Sequence, residues 1–133
     1  MKLLLTGATG HSAKYFFHRL VTENWKGKII CPIRTESLYK TKKFENFGLD
    51  VNFIECDLQG DLGLLVNAMK NTDTVLHIAG IKVSERVVKA GQIAGVDWLI
   101  CVHTTGRYSK FKRASMDYIR IEDKLIKELY GCV

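Results

Sequence analysis

The segment of this chain best suited to chemistry is Thr6-Gly7-Ala8-Thr9-Gly10-His11-Ser12-Ala13, between a short apolar run and an amphipathic stretch. Its small residues have separate tasks. Gly7 permits a tight turn, Gly10 lets a ligand approach bare backbone, and Ala13 lets a following helix pack close to the preceding strand. A helix that starts here offers unpaired N–H groups and the positive end of its dipole to an anion. Spacing and context together predict a pyrophosphate cradle built from Gly7, Thr9, Gly10, His11 and Ser12. An ordinary strand-to-helix turn is the competing explanation.

A second candidate is the run 106–113, which holds Arg107, Lys110, Lys112 and Arg113 beside Tyr108 and Phe111. Charge interleaved with aromatic rings suits a phosphorylated substrate, or a nucleic-acid strand on which bases stack. A solvated surface loop explains the same residues equally well, and nucleic-acid binding is the weakest of these readings.

The elements that would position these residues alternate. Apolar runs predict strands at Lys2–Thr6, Lys28–Arg34, Val51–Cys56, Thr74–Ala79 and Asp97–His103. Helical spacing of apolar residues predicts helices at Ser12–Asn24, Val83–Ala94 and Ser115–Tyr130, and a polar, Lys-rich one at Glu36–Asn46. A further helix starts after Asp61 as its N-cap, with Leu62, Leu65, Val66 and Met69 on one face. Five strand–helix units of this kind predict a doubly wound α/β Rossmann fold. The sheet is then five-stranded and parallel, in the order 3-2-1-4-5, with helices on both faces. Pro32 lacks an N–H and is expected where the second strand leaves its neighbours.

The 133 residues, 47% hydrophobic and 26% charged, fit one domain over 1–133 with a packed core. Cys31, Cys56, Cys101 and Cys132 form no CxxC pair, so zinc is not expected and no metal site is assigned. Cysteines in apolar runs behave as small hydrophobes and suit a reducing compartment. With neither a signal peptide nor a membrane span in the sequence, a cytoplasmic location is expected. The net charge of +6 suits anionic ligands but is diffuse.

The turn reads Gly-x-x-Gly-x-x-Ala, and in this it resembles the short-chain dehydrogenase/reductase superfamily. Within that superfamily it is most similar to the extended and atypical members, the nucleotide-sugar epimerases and NmrA-like proteins. The resemblance covers nearly the whole chain and implies a nicotinamide dinucleotide cofactor. Arg34, after the second strand, then suits the 2′-phosphate of NADP, whereas Glu36 nearby suits the 2′-hydroxyl of NAD. Asp57 is implied to bond the adenine amino group and the backbone of Leu58 a ring nitrogen. Ala79 and Gly80 are implied to lie beside the cofactor ribose, and His77 in the same segment is expected to face the core. Thr105, or Thr104, and Tyr118 correspond to the hydroxyl pair that binds a substrate carbonyl.

The catalytic pattern departs from the family at one position. Tyr118-Ile119-Arg120-Ile121-Glu122 places Glu122 where Tyr-x-x-x-Lys carries its lysine. Residues four apart share a helix face, and a carboxylate there disfavours tyrosinate rather than favouring it. The chain also stops at Gly131-Cys132-Val133, before the sixth strand and substrate-binding segment that the family carries. The expectation is therefore a cofactor-binding domain with little turnover, whose substrate would be a small carbonyl compound or a nucleotide sugar. A non-enzymatic NADP(H)-sensing regulator is the alternative, and a homo-oligomer is compatible with either.

Overall fold

The computed structural model describes residues 1–130, with the side chains of 112–114, 129 and 130 excepted. The chain end at Gly131-Cys132-Val133 and the side chains of Lys112 and Arg113 in the basic run lie outside the described residues. Five strands, β1 (Lys2–Thr6), β2 (Lys28–Ile33), β3 (Asp50–Glu55), β4 (Thr74–His77) and β5 (Trp98–Cys101), form one parallel sheet. Their order is β3-β2-β1-β4-β5, the predicted doubly wound arrangement. Four α-helices flank it: α1 (His11–Thr22), α2 (Leu62–Met69), α3 (Ser84–Ala94) and α4 (Lys112–Tyr130).

Strand alternation sends successive residues to opposite faces, which builds two cores. Leu4, Ile30 and Val75 meet Leu65 and Met69 of α2 and Val87 of α3 on one face. Leu5, Ile29 and Cys31 meet Ala13 and Phe17 of α1 and Phe44 on the other. Phe17 is fully buried against the Phe44 ring, with centroids 4.7 Å apart, so its truncation to Ala is expected to cost about 3–5 kcal/mol. Beyond the first core, α4 lays Ile121 and Leu125 against Ile81 and Val88.

Local chemistry sets the element ends. Asp61 caps α2 by accepting the Gly63 N–H at 2.7 Å. Gly95 ends α3 at φ +71°. The Lys-rich segment differs from expectation: it is a 3-10 helix over Thr35–Phe44 rather than an α-helix over Glu36–Asn46. Only Ser37 and Phe44 are buried there, so no apolar stripe of α period fixes the tighter geometry open, and the Thr41 hydroxyl donates to the Leu38 carbonyl at 2.8 Å. β4 stops at His77 rather than Ala79 because its partner β1 ends at Thr6, opposite His77, where the Gly7 turn begins. Part of the basic run is also ordered: Thr105–Tyr108 forms a 3-10 turn, and α4 starts at Lys112.

Pro32 sits where expected on one side only. β1 pairs with β2 through Ile30, whereas β3 pairs with β2 through Ile33. The Ile33 carbonyl bonds Cys56 on the β3 side, and the Lys28 N–H bonds Met1 on the β1 side. Alternation therefore turns residue 32 toward β1, just past Leu4 and Ile30, the last partners in the β1–β2 pairing. Its missing N–H coincides with the end of that pairing. Among the described residues, no helix is long and apolar enough to cross a membrane.

Candidate functional site

The carboxyl ends of β1, β2 and β4 diverge around a cavity of about 340 Å³. This is the crevice where open α/β sheets hold ligands, and its size suits a small molecule. Its floor is Gly7, Thr9 and Gly10 of the turn, with Ala79 behind them. Pro32 and Arg34 form one wall, Asp57 and Leu58 another.

The two glycines differ in what they require. Gly7 has φ +79°, and a Cβ there would lie 2.8 Å from Ala79 Cα, so both conformation and packing demand glycine. Gly10 has φ −79°, and its N–H bonds the Gly7 carbonyl at 2.9 Å. A Cβ at Gly10 would meet only that carbonyl oxygen, at 3.2 Å. The fold itself thus asks little of Gly10 beyond a small residue, while the cavity lies beside it. No side chain caps α1, and its first turn holds no acidic residue, so the positive helix end is left to a ligand. The cradle fits a pyrophosphate.

Arg34 is exposed and its guanidinium lies 3.3 Å from the Glu36 carboxylate. The two side chains that point to different cofactors are therefore each other's partners. Asp57 Oδ1 accepts the Gln59 N–H at 2.9 Å, which fixes the loop after β3. His11 and Ser12 are exposed on the first turn of α1 and do not line the cavity, nor does Gly80, which turns the chain at φ +133°. Ser37, Gln59 and Val83 line it without having been singled out. Ser37 is buried at the start of the 3-10 helix, and nothing in its type or neighbours marks it in the sequence.

Thr105 is exposed and opens the 3-10 turn, while Tyr118 is half-buried on α4. Gly106, the residue after Thr105, lies against Tyr118, and a Cβ there would come within 2.6 Å of the ring. Neither lines the cavity. The Thr104 hydroxyl accepts the Gly106 N–H at 3.1 Å and so caps that turn.

A chain of polar groups runs beneath these residues. Thr6 Oγ1 lies 2.6 Å from His77 Nδ1, and His77 Nε2 lies 3.0 Å from both the Gly80 carbonyl and Ser84 Oγ. Ser84 Oγ is 3.2 Å from His103 Nε2, and His103 Nδ1 is 3.3 Å from Glu122 Oε1. Arg107 closes the chain on the other oxygen of Glu122. For His77, held neutral by burial, the partners fix the proton positions. A carbonyl only accepts, so His77 Nε2 donates to Gly80 and Ser84, and His77 Nδ1 accepts from Thr6. A carboxylate only accepts, so His103 Nδ1 donates to Glu122. The run therefore starts with a donation from Thr6 to His77 and ends on Glu122, which accepts from His103 on one oxygen and from Arg107 on the other.

Burial pushes the His77 pKa down to about 4, the Gly80 carbonyl opposes this, and nearby His103 adds to it. His77 faces the core, as expected. Burial likewise pushes the thiols of Cys31 and Cys101 up to about 12 and 11, which leaves them protonated and unreactive. Among the described residues, no group of three or more His, Cys, Asp and Glu side chains could hold a metal ion.

No family model and no curated protein matches this sequence. Solved structures do match. A short-chain dehydrogenase/reductase from Veillonella parvula superposes with TM-score 0.73 at 18% identity, covering 96% of this chain and 63% of that one. A UDP-glucose 4-epimerase from Stenotrophomonas maltophila, with bound NAD and formylated UDP-arabinopyranose, gives 0.73 at 17% identity, covering 97% and 48%. A wide-type short-chain dehydrogenase/reductase from Veillonella parvula in complex with NADP gives 0.65 at 18%, covering 90% and 63%. The fold is thus the Rossmann fold in the form shared by short-chain dehydrogenases/reductases and epimerases. The chain spans about half to two-thirds of the length of these structures.

Proposed function

We propose that this chain binds a nicotinamide dinucleotide in the crevice at the ends of β1, β2 and β4, with the pyrophosphate on the Gly7–Ser12 turn. The observation that carries this reading is the open, uncapped start of α1 beside Gly10, facing a cavity of about 340 Å³. Structures with the same fold hold NAD in one case and NADP in another, which supports the cofactor class. Asp57 and Leu58 would meet the adenine, and Ala79 and Gly80 the ribose side. Arg34 favours NADP, and Glu36 leaves NAD as the second choice. When bound, the nicotinamide ring would supply hydride transfer.

Thr105 and Tyr118 are the candidates for a carbonyl site, the substrate being a small carbonyl compound or nucleotide sugar. We propose little turnover by this chain, because Glu122, at the lysine position, is committed to Arg107 and His103. The same commitment favours a second reading, a cofactor-sensing regulator rather than a reductase. The basic run is a weaker nucleic-acid candidate, since Arg107 is already paired. The free cysteines Cys31, Cys56 and Cys101 suit a reducing, cytoplasmic setting. Isothermal titration tests the cofactor: NADPH is expected to bind with 1:1 stoichiometry and more tightly than NADH. Absence of heat with all of NADP, NADPH, NAD and NADH would overturn the reading.

A further inference from the structure

Residues 57–61, between β3 and α2, belong to no strand or helix. β3 ends at Glu55, the Cys56 N–H makes one more bond across to the Ile33 carbonyl, and α2 starts at Leu62. The segment nevertheless walls the crevice through Asp57, Leu58 and Gln59. Within itself it is a tight turn. The Gly60 N–H donates to the Asp57 carbonyl at 3.0 Å, and the Gln59 N–H to Asp57 Oδ1 at 2.9 Å. Short turns held by bonds open to water are weakly ordered. The Leu58 side chain packs against the first core, which anchors one point of the turn but not its orientation.

A second hold comes from α3. Arg86 is half-buried, and its side chain bonds the turn across 28 and 26 positions of sequence. Its Nε donates to the Leu58 carbonyl at 2.8 Å, and its Nη2 donates to the Gly60 carbonyl. The guanidinium is planar, so the two donors keep a fixed direction relative to each other. Bonding both carbonyls therefore sets the orientation of the turn as well as its distance from α3. Arg86 follows Val83 by one helical turn, and Val83 lines the crevice. Arg86 itself does not; it borders a separate groove with Leu62 and Lys89. It joins two walls of the crevice from behind.

We infer that Arg86 is the positioning residue for the adenine end of the site, holding the turn so that the Asp57 carboxylate and the Leu58 N–H meet a purine together. The inference rests on the dinucleotide reading above. With Asp57 Oδ1 taken by Gln59, Oδ2 is the oxygen left for the adenine amino group. Amino group and ring nitrogen have to be met at one spacing. A base with a carbonyl in place of the amino group turns attraction to the carboxylate into repulsion. The wall therefore selects adenine over hypoxanthine only while the turn keeps its shape. A binding group is as well placed as the residues that support it, and Arg86 supports this one from outside the crevice.

The test uses the full chain. Arg86→Met keeps a long stem without donors, and Arg86→Lys keeps the charge without the planar fork. In the ligand-free protein, backbone amide relaxation should give Gln59 and Gly60 order parameters of about 0.85, falling toward about 0.6 in Arg86→Met. Titration with NADPH and with its hypoxanthine analogue should show wild type preferring adenine at least about tenfold, the worth of one hydrogen bond to a charged group. Arg86→Met should lose that preference by weakening NADPH alone, and Arg86→Lys should lose it too. Circular dichroism melting checks folding, and Arg86→Lys carries the test if Arg86→Met does not fold. A purely structural or a purely electrostatic role predicts something else. Equal weakening of both dinucleotides, a preference kept by folded Arg86→Lys, or unchanged order parameters in Arg86→Met would each overturn the inference while leaving the cofactor reading intact. Wild type that binds neither dinucleotide would overturn the proposed function and this inference with it.

Discussion

His103 Nδ1 lies 3.3 Å from Glu122 Oε1, while Arg107 holds the other oxygen of the same carboxylate. One side chain thereby ties the end of β5 and the 3-10 turn to α4. Glu122 and Arg107 have side chains only 12% and 29% exposed, so the pair is partly shielded from water. Glu122→Lys restores the sequence pattern of a catalytic Tyr-x-x-x-Lys, yet it sets a cation against Arg107. Its expected effect is destabilisation by about 1–3 kcal/mol, below the range for a fully buried pair. No gain in carbonyl reduction should follow. Urea unfolding and an NADPH-oxidation assay over aldehydes, ketones and nucleotide sugars check both halves. An active, undiminished Glu122→Lys protein would refute the assignment.

The wild-type chain in the same assay should bind NADPH and oxidise it little. Robust turnover that vanishes in Tyr118→Phe would reverse this prediction and show Tyr118 working without a lysine.

The glycines of the turn should separate stability from binding. Gly7→Ala places a Cβ at a positive φ and 2.8 Å from Ala79 Cα, and is expected to cost more than about 1–3 kcal/mol. Gly10→Ala meets only the Gly7 carbonyl, so its Tm should change by no more than a few degrees while dinucleotide affinity falls at least about tenfold, or 1.4 kcal/mol. Equal effects of both variants on Tm, with unchanged affinity, would count against the cradle.

Arg34 is expected to select the cofactor. Arg34→Ala should weaken NADPH more than NADH, by about 1–2 kcal/mol for an exposed charge-assisted bond. Glu36→Gln removes the carboxylate 3.3 Å from the guanidinium and should strengthen NADPH binding. Equal losses for the two cofactors in Arg34→Ala would exclude a phosphate role.

Acid should weaken the fold through His77. Its folded pKa is about 4, below the ordinary value of 6.5, because burial penalises the cation. The unfolded chain therefore takes up this proton first as pH falls. The stabilisation is full above about pH 6.5 and is lost progressively toward pH 4, amounting to about 1–3 kcal/mol. Urea midpoints measured between pH 7.5 and 4.5 should fall in wild type and flatten in His77→Gln. A wild-type midpoint constant across that range would sink the claim.

The sheet order and the glycine turn were legible because they are written locally. Apolar runs such as Leu3–Leu5 and spacings such as Ala13, Phe17 and Leu20 depend on residues close in sequence. The polar chain was not legible, since Thr6 and His77 are separated by 71 positions and meet only because β1 pairs with β4. Glu122 was read against Tyr118, its neighbour on the helix face, whereas its partners come from a strand end and a turn. The 3-10 helix at Thr35–Phe44 was mistaken for an α-helix because the missing apolar stripe, rather than any breaker residue, decides its geometry. Ser37 became visible as a cavity residue only once that segment was placed over the crevice.

Pro32 has a consequence for binding energetics. Were residue 32 any other type, its N–H would point at β1, and straightening of the Gly7 turn would let the two strands zip further and narrow the opening. Proline removes that donor covalently. The crevice is therefore preorganised: an arriving ligand breaks no interstrand hydrogen bond at residue 32, and the cost of holding the walls apart was met when the chain folded. Pro32→Val should introduce a competitor for that space, one that belongs to the protein itself.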